Sequence, residues 1–147
     1  MKREWFPEYD DMTKKALEMR NFSHTPYSHF NVGAALMTED GSVYTGCNIE
    51  LASYAGTVCA ERTALVKAIS EGHKHFRYIV IVGGREDKPG TDICPPCGIC
   101  RQFMREFCEK DEFLVILPEV SGDGKVTDYE IMTLEELMPV SFGPEHL

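Results

Sequence analysis

Two short segments hold the residue types that do chemistry: Thr57-Val58-Cys59-Ala60-Glu61-Arg62 and Cys94-Pro95-Pro96-Cys97-Gly98-Ile99-Cys100-Arg101-Gln102. Thiolates from Cys59, Cys97 and Cys100 fill three positions of a tetrahedral zinc ion and leave the fourth to water, which separates a catalytic zinc site from a closed structural one. Three thiolates and Zn2+ leave one net negative charge, so a cation is expected beside them, and Arg62 is in position to supply it. Glu61 follows Cys59 by two residues and so reaches the metal region without being a ligand. A carboxylate there can take a proton as water is activated and then hand it to substrate and leaving group.

Simpler readings compete with each of these. Cys94 would complete a four-thiolate structural site, but that arrangement leaves Glu61 without work, so Cys94 is expected to be a bystander. Cys47 and Cys108 read as small buried apolar residues. Alone, Glu61 would be a first-turn glutamate favoured by the helix dipole, and only its neighbours change that reading. Asn48 and Glu50 could be turn residues after a strand, and Phe30 and Phe142 ordinary core aromatics. None of the five histidines has ligand spacing to a cysteine.

The elements that must position these residues follow from periodicity. About Pro7 to Arg20 carries a helical stripe through Tyr9, Met12, Ala16, Leu17 and Met19. Phe30 to Met37 and Ser42 to Gly46 flank Asp40-Gly41, the strongest hairpin signal in the chain. Thr57 to Glu71 reads as a helix starting within a residue or two of Cys59 and stopped at Gly72. The β-branched run Arg77 to Val82, bounded by Gly83-Gly84, reads as a strand covered on both faces, followed by a polar loop from Arg85 to Pro95. Pro96 to Cys108 is the next helix, so both cysteine clusters fall at helix N-termini, where free N–H groups and the dipole favour thiolate. Phe113 to Leu117 and Val126 to Met132 are further strands, and Thr133-Leu134-Glu135-Glu136-Leu137 opens a short helix on a capping box. The expected fold is one α/β domain over residues 1–147, a three-layer α/β/α sandwich around a mixed sheet of about five strands.

Composition narrows the function. The chain has 147 residues, and 43% of them are hydrophobic, enough for one core. A net charge of -9 gives no electrostatic footprint for a polynucleotide and favours a small ligand. No apolar run approaches the roughly 18 to 20 residues of a membrane span, and the start Met1-Lys2-Arg3-Glu4-Trp5 is unlike a signal peptide. A cytoplasmic location is expected.

Cys-Ala-Glu-Arg followed by Pro-Cys-Gly-x-Cys-Arg-Gln resembles the signature of the small cytidine deaminases. Tyr27-Ser28-His29-Phe30, Val32-Gly33-Ala34-Ala35-Leu36, Gly46-Cys47-Asn48-Ile49-Glu50, Ala68-Ile69-Ser70-Glu71-Gly72 and Pro139-Val140-Ser141-Phe142-Gly143-Pro144 are similar to that family too, so the likeness runs from about Pro26 to the end. The resemblance implies one zinc per chain on Cys59, Cys97 and Cys100, with Glu61 as the acid and base and Arg62 neutralising thiolate charge. It implies that Asn48 and Glu50 bond the ribose hydroxyls, Phe30 packs on the pyrimidine, and the backbone around Ala60 reads the base edge. It further implies homotetramers in which Phe142 reaches over the base in the next subunit's site. The implied activity is deamination of cytidine and deoxycytidine in pyrimidine salvage. Leu51 departs from the pattern, since many members carry Asn after the Glu50 position. The rival readings are a deaminase of a modified cytosine nucleoside, a polynucleotide deaminase and a non-enzymatic zinc-stapled module.

Overall fold

The computed structural model describes residues 1–147. Helix α1 (Glu8–Met19) opens with Glu8, Asp10 and Asp11 in its first turn, where the dipole favours negative charge. It ends one residue earlier than its periodicity suggests and tightens into a 3-10 turn, Arg20–Phe22. There the Arg20 side chain turns inward, and its Nε donates to the Asn31 carbonyl at 3.0 Å.

Strands β1 (Phe30–Thr38) and β2 (Val43–Cys47) form the expected hairpin, with Gly41 at φ +90° in its turn. Helix α2 (Ala60–Ser70) starts on Cys59 and gives way at Gly72, which adopts φ +98°. Strand β3 (Phe76–Arg85) continues through Gly83-Gly84, which the sequence reading took as its boundary. Those glycines stay in the sheet because β1 runs alongside them, Val32 opposite Gly83 and Asn31 opposite Gly84. Helix α3 (Gly98–Phe107), strands β4 (Leu114–Val120) and β5 (Val126–Thr133), and helix α4 (Leu134–Leu137) complete the order. The capping box on α4 forms between Thr133 and Glu136.

The strands lie in the order β2-β1-β3-β4-β5. Only β3 and β4 are parallel, and parallel neighbours need a long crossover, which α3 supplies. Because alternate residues of β3 face opposite ways, the sheet builds two cores. Tyr78, Val80 and Val82 meet Tyr9, Met12 and Ala16 of α1 on one face. Ile79 and Ile81 meet Ala64, Leu65, Cys100 and Met104 of α2 and α3 on the other. The three layers and the mixed five-stranded sheet are those expected.

Two glycines let the helices approach the sheet closely. A Cβ at Gly33 would overlap the Ala16 carbonyl oxygen, and one at Gly46 would overlap the Ala60 carbonyl oxygen. The second contact matters for function, because it seats the first turn of α2, with Cys59 and Glu61, directly on β2.

Candidate active site

Two helix N-termini converge on one point. Cys59 is the N-cap of α2 and Cys97 the N-cap of α3, whose Sγ accepts the Cys100 N–H at 3.5 Å. The Sγ atoms of Cys59, Cys97 and Cys100 all lie within 4.8 Å of one another, and those of Cys59 and Cys97 are 3.7 Å apart. Zinc–sulfur bonds of about 2.3 Å in a tetrahedron space their sulfurs about 3.8 Å apart, so the donor set fits the ion in type and in spacing. Cys94 stays outside this group, close against Gly83 of β3, and burial pushes its thiol up to about 12, so it remains neutral. Cys47 and Cys108 are buried, as expected of small apolar residues.

The electrostatics suit metal binding. Hydrogen bonding from Cys100, reinforced by Arg62 against the opposing effect of burial, draws the Cys59 thiol down to about 5. Cys100, fully buried, keeps the proton of the pair and is held well above the ordinary thiol range. Metal binding must displace that proton, which is the usual coupling of thiolate ligation to proton release. Arg62 Nη2 donates to the Thr57 carbonyl at 3.0 Å and reaches Cys59 Sγ at 3.7 Å. Its guanidinium is thus aimed at the Cys59 thiolate from within the same helix, as the charge count requires.

Glu61 is 4% exposed, and its Oε2 accepts from the Cys100 thiol at 3.8 Å. Burial is the main reason its carboxyl is pushed up to about 7, and the Cys59 thiolate acts the same way. A group balanced at that point both gives and takes protons near neutrality. Here the helix-start reading of Glu61 as a solvated glutamate fails, since the side chain turns into the site and away from water.

The comparisons with known proteins point the same way. Residues 7–116 match the family described as the cytidine and deoxycytidylate deaminase zinc-binding region. The chain belongs to the cytidine deaminase family. Zinc is its cofactor, and the three thiols are the donor set that fits it. A cytidine deaminase of Halalkalibacterium halodurans is 44% identical over 136 residues, 92% of this chain and 95% of that one. A probable cytidine deaminase of Dictyostelium discoideum is 46% identical over 140 residues, covering 95% and 87%. Among solved structures, the cytidine deaminase of Burkholderia pseudomallei superposes with a TM-score of 0.75 at 37% identity, covering 90% of this chain and 97% of that one. The Mycobacterium tuberculosis cytidine deaminase gives 0.75 at 30% identity, with 94% and 99% covered.

The other residues singled out by the sequence each have defined partners or exposure in the structure. Asn48 is 8% exposed and pinned to β1: its Oδ1 accepts the Val32 N–H at 2.9 Å and its Nδ2 donates to the Phe30 carbonyl at 2.9 Å. One amide hydrogen and one lone pair remain free. Glu50 Oε1 accepts the N–H groups of Tyr27 and Ser28, each at 3.1 Å. The Ser28 hydroxyl and these N–H groups hold its carboxylate below the usual range, so it is ionised. Phe30, at the start of β1, is partly exposed. Ala60 is fully buried in the first turn of α2. Phe142 stands apart, 58% exposed on the C-terminal arm, with its ring stacked on His146 at 5.0 Å.

Sequence reasoning missed the backbone bracing of this rim. The Tyr27 and Ser28 amides that hold Glu50, and the β1 amide and carbonyl that hold Asn48, carry no side-chain signal. It also missed the part of Arg105, which is buried and grips the C-terminal arm.

No helix is long and apolar enough to cross a membrane.

Proposed function

We propose that the chain catalyses hydrolytic deamination of cytidine and deoxycytidine, giving uridine or deoxyuridine and ammonia, as one catalytic domain over residues 1–147. The observation that carries this reading is Glu61, buried without a basic partner of its own beside three converging thiols. Zinc bound there supplies Lewis acidity and a water activated at neutral pH.

The chain's own residues do the rest. Glu61 takes the proton released as water is activated and delivers it to N3 of the pyrimidine while C4 is attacked. A second proton then passes through the same carboxyl to the 4-amino group, the C4–N bond breaks, and ammonia leaves. One carboxyl serves both transfers because its affinity for protons lies near neutrality. Arg62 offsets the thiolate charge that would otherwise raise the cost of developing negative charge nearby. The backbone around Ala60 reads the base edge, and Phe30 offers an apolar wall to its face. The free amide groups of Asn48 and the ionised carboxylate of Glu50 meet the sugar hydroxyls.

We further propose a homotetramer in the cytoplasm, with Phe142 of one chain closing the site of another. Support comes from the exposed rim of Phe30, Leu51 and Tyr54 and from the exposed Phe142, apolar surface that a closed symmetric assembly would cover. Six unpaired cysteines accord with a reducing compartment.

An absorbance assay on cytidine, deoxycytidine, free cytosine and a single-stranded oligonucleotide tests the reading. Both nucleosides should turn over, while cytosine should lose at least about a hundredfold in kcat/KM, because Asn48 and Glu50 are left unpaired. The oligonucleotide should be inert, since a net charge of -9 repels it. Turnover of cytosine at the nucleoside rate, or of none of the four, would refute it.

A further inference from the structure

The C-terminal arm is held by the helix that carries two of the zinc ligands. Arg101, Gln102 and Arg105 project from α3, and each takes hold of a different part of the chain's end. Arg101 Nη1 donates to the Leu137 carbonyl at 2.6 Å, and Gln102 Nε2 donates to the Phe142 carbonyl at 3.0 Å. Arg105 Nε donates to Ser141 Oγ at 2.7 Å, and its Nη2 pairs with Glu145. The Arg105 side chain is 7% exposed whereas that of Glu145 is 52% exposed, so the cation is buried and its carboxylate is not.

The arm is shaped to fit this grip. Val140 adopts φ +53°, a left-handed conformation that a β-branched residue resists. Gly143 is extended and lies flat on the guanidinium, where a Cβ would overlap the Arg105 Cζ. Its N–H donates to His146 Nδ1 at 3.0 Å, and the His146 ring stacks on Phe142. Every residue from Val140 to His146 other than Pro144 is thus strained, bonded or stacked, yet the one large apolar side chain among them in contact, Phe142, faces out.

A buried cation with one partly exposed partner is a poor way to gain stability, because apolar residues of similar volume do as well or better. A planar group with five donors in a fixed fork is a good way to set direction. We propose that Arg105 is a positioning residue, which fixes the angle at which the arm presents Phe142 to the site of a second copy of this chain. The proposal rests on the shared-site reading given above. It makes α3 a common beam, with zinc ligands at its N-terminus and a neighbour's site wall on its flank.

A double-mutant cycle tests it on the zinc-loaded assembly, with KM and kcat for cytidine, zinc per chain and oligomeric mass read for each variant. Phe142→Ala should raise KM roughly fivefold to fiftyfold, within the range for one aromatic side chain against a base. Arg105→Gln should raise KM by a similar factor, with kcat and zinc nearly unchanged. In the Phe142→Ala background, Arg105→Gln should then change KM by less than about twofold, because its effect runs through a ring no longer there. Multiplying effects would overturn the proposal, as a general structural role would persist without Phe142. If Arg105→Gln does not fold, Gly143→Ala carries the test, since it leaves the cation in place and forces the arm off it. An unchanged KM for Gly143→Ala also overturns the clamp. Should Phe142→Ala itself leave KM unchanged, the shared-site reading falls and takes the clamp with it. A KM raised by Phe142→Ala but not by Arg105→Gln removes the clamp alone.

Discussion

The zinc pocket and the rim around it are built by opposite means. In the pocket, each functional side chain is placed by the start of a helix: Cys59 caps α2, Cys97 caps α3, and Glu61 and Cys100 occupy first turns. At the rim, Asn48 and Glu50 are held by backbone groups of β1 and of the loop before it, and Phe142 by an arm folded onto α3. The pocket is mostly buried, so its geometry is set by the packing of two helices on one sheet. At the rim only Asn48 is buried, so the rim's geometry depends on a few polar bonds and, as proposed above, on a second chain. Damage to the pocket should therefore stop the reaction, whereas damage to the rim should weaken the selection of substrate.

The largest expected effect comes from Cys100→Ala. Removing a fully buried ligand leaves two thiols, which should lose zinc and with it all measurable turnover. Metal analysis and the cytidine assay on the same sample check this, and an active, zinc-loaded variant would erase the distinction between pocket and rim. Glu50→Gln should fall next, at roughly tenfold to a hundredfold in kcat/KM for cytidine with zinc retained, because it removes the ionised acceptor proposed to meet the sugar. The same substitution should leave the poor rate on free cytosine within about twofold. An equal loss on both substrates would mean that Glu50 supports the pocket and not the sugar. Cys94→Ala should be smallest in chemistry, changing neither zinc content nor kcat by more than about twofold, although this partly buried thiol sits near the site. Zinc loss in that variant would revive the four-thiolate structural site.

The same contrast explains what the sequence made legible. Helix starts carry strong local signals, and Gly72, the capping box at Thr133 and the Asp40-Gly41 turn each marked a boundary that the structure places within a residue or two. Cysteine spacing then located the metal centre, because zinc demands few residue types in narrow geometry. Gly83-Gly84 misled for a physical reason: glycine reads locally as a break, while the long β1 partner keeps the strand going. The bracing of Asn48 and Glu50 was invisible because backbone amides look alike at every position. Phe142 was half legible, since its lack of periodic apolar neighbours marked it as outside the core, but nothing local disclosed the Arg105 grip. Truncating Phe142, which is 58% exposed, should cost no more than about 0.5 kcal/mol of single-chain stability. Truncating a fully buried residue such as Ile79 costs about 2–5 kcal/mol, so any large effect of Phe142→Ala reports on function and not on folding.

Glu61 should carry protons at a three-cysteine zinc site without holding the metal. Glu61→Gln keeps the shape and removes the proton carrier, so zinc per chain and cytidine turnover measured on one preparation test the claim most directly. One zinc per chain and a fall in kcat of at least about a hundredfold are expected. A variant that keeps both its zinc and its rate, or one that loses its zinc, would contradict it.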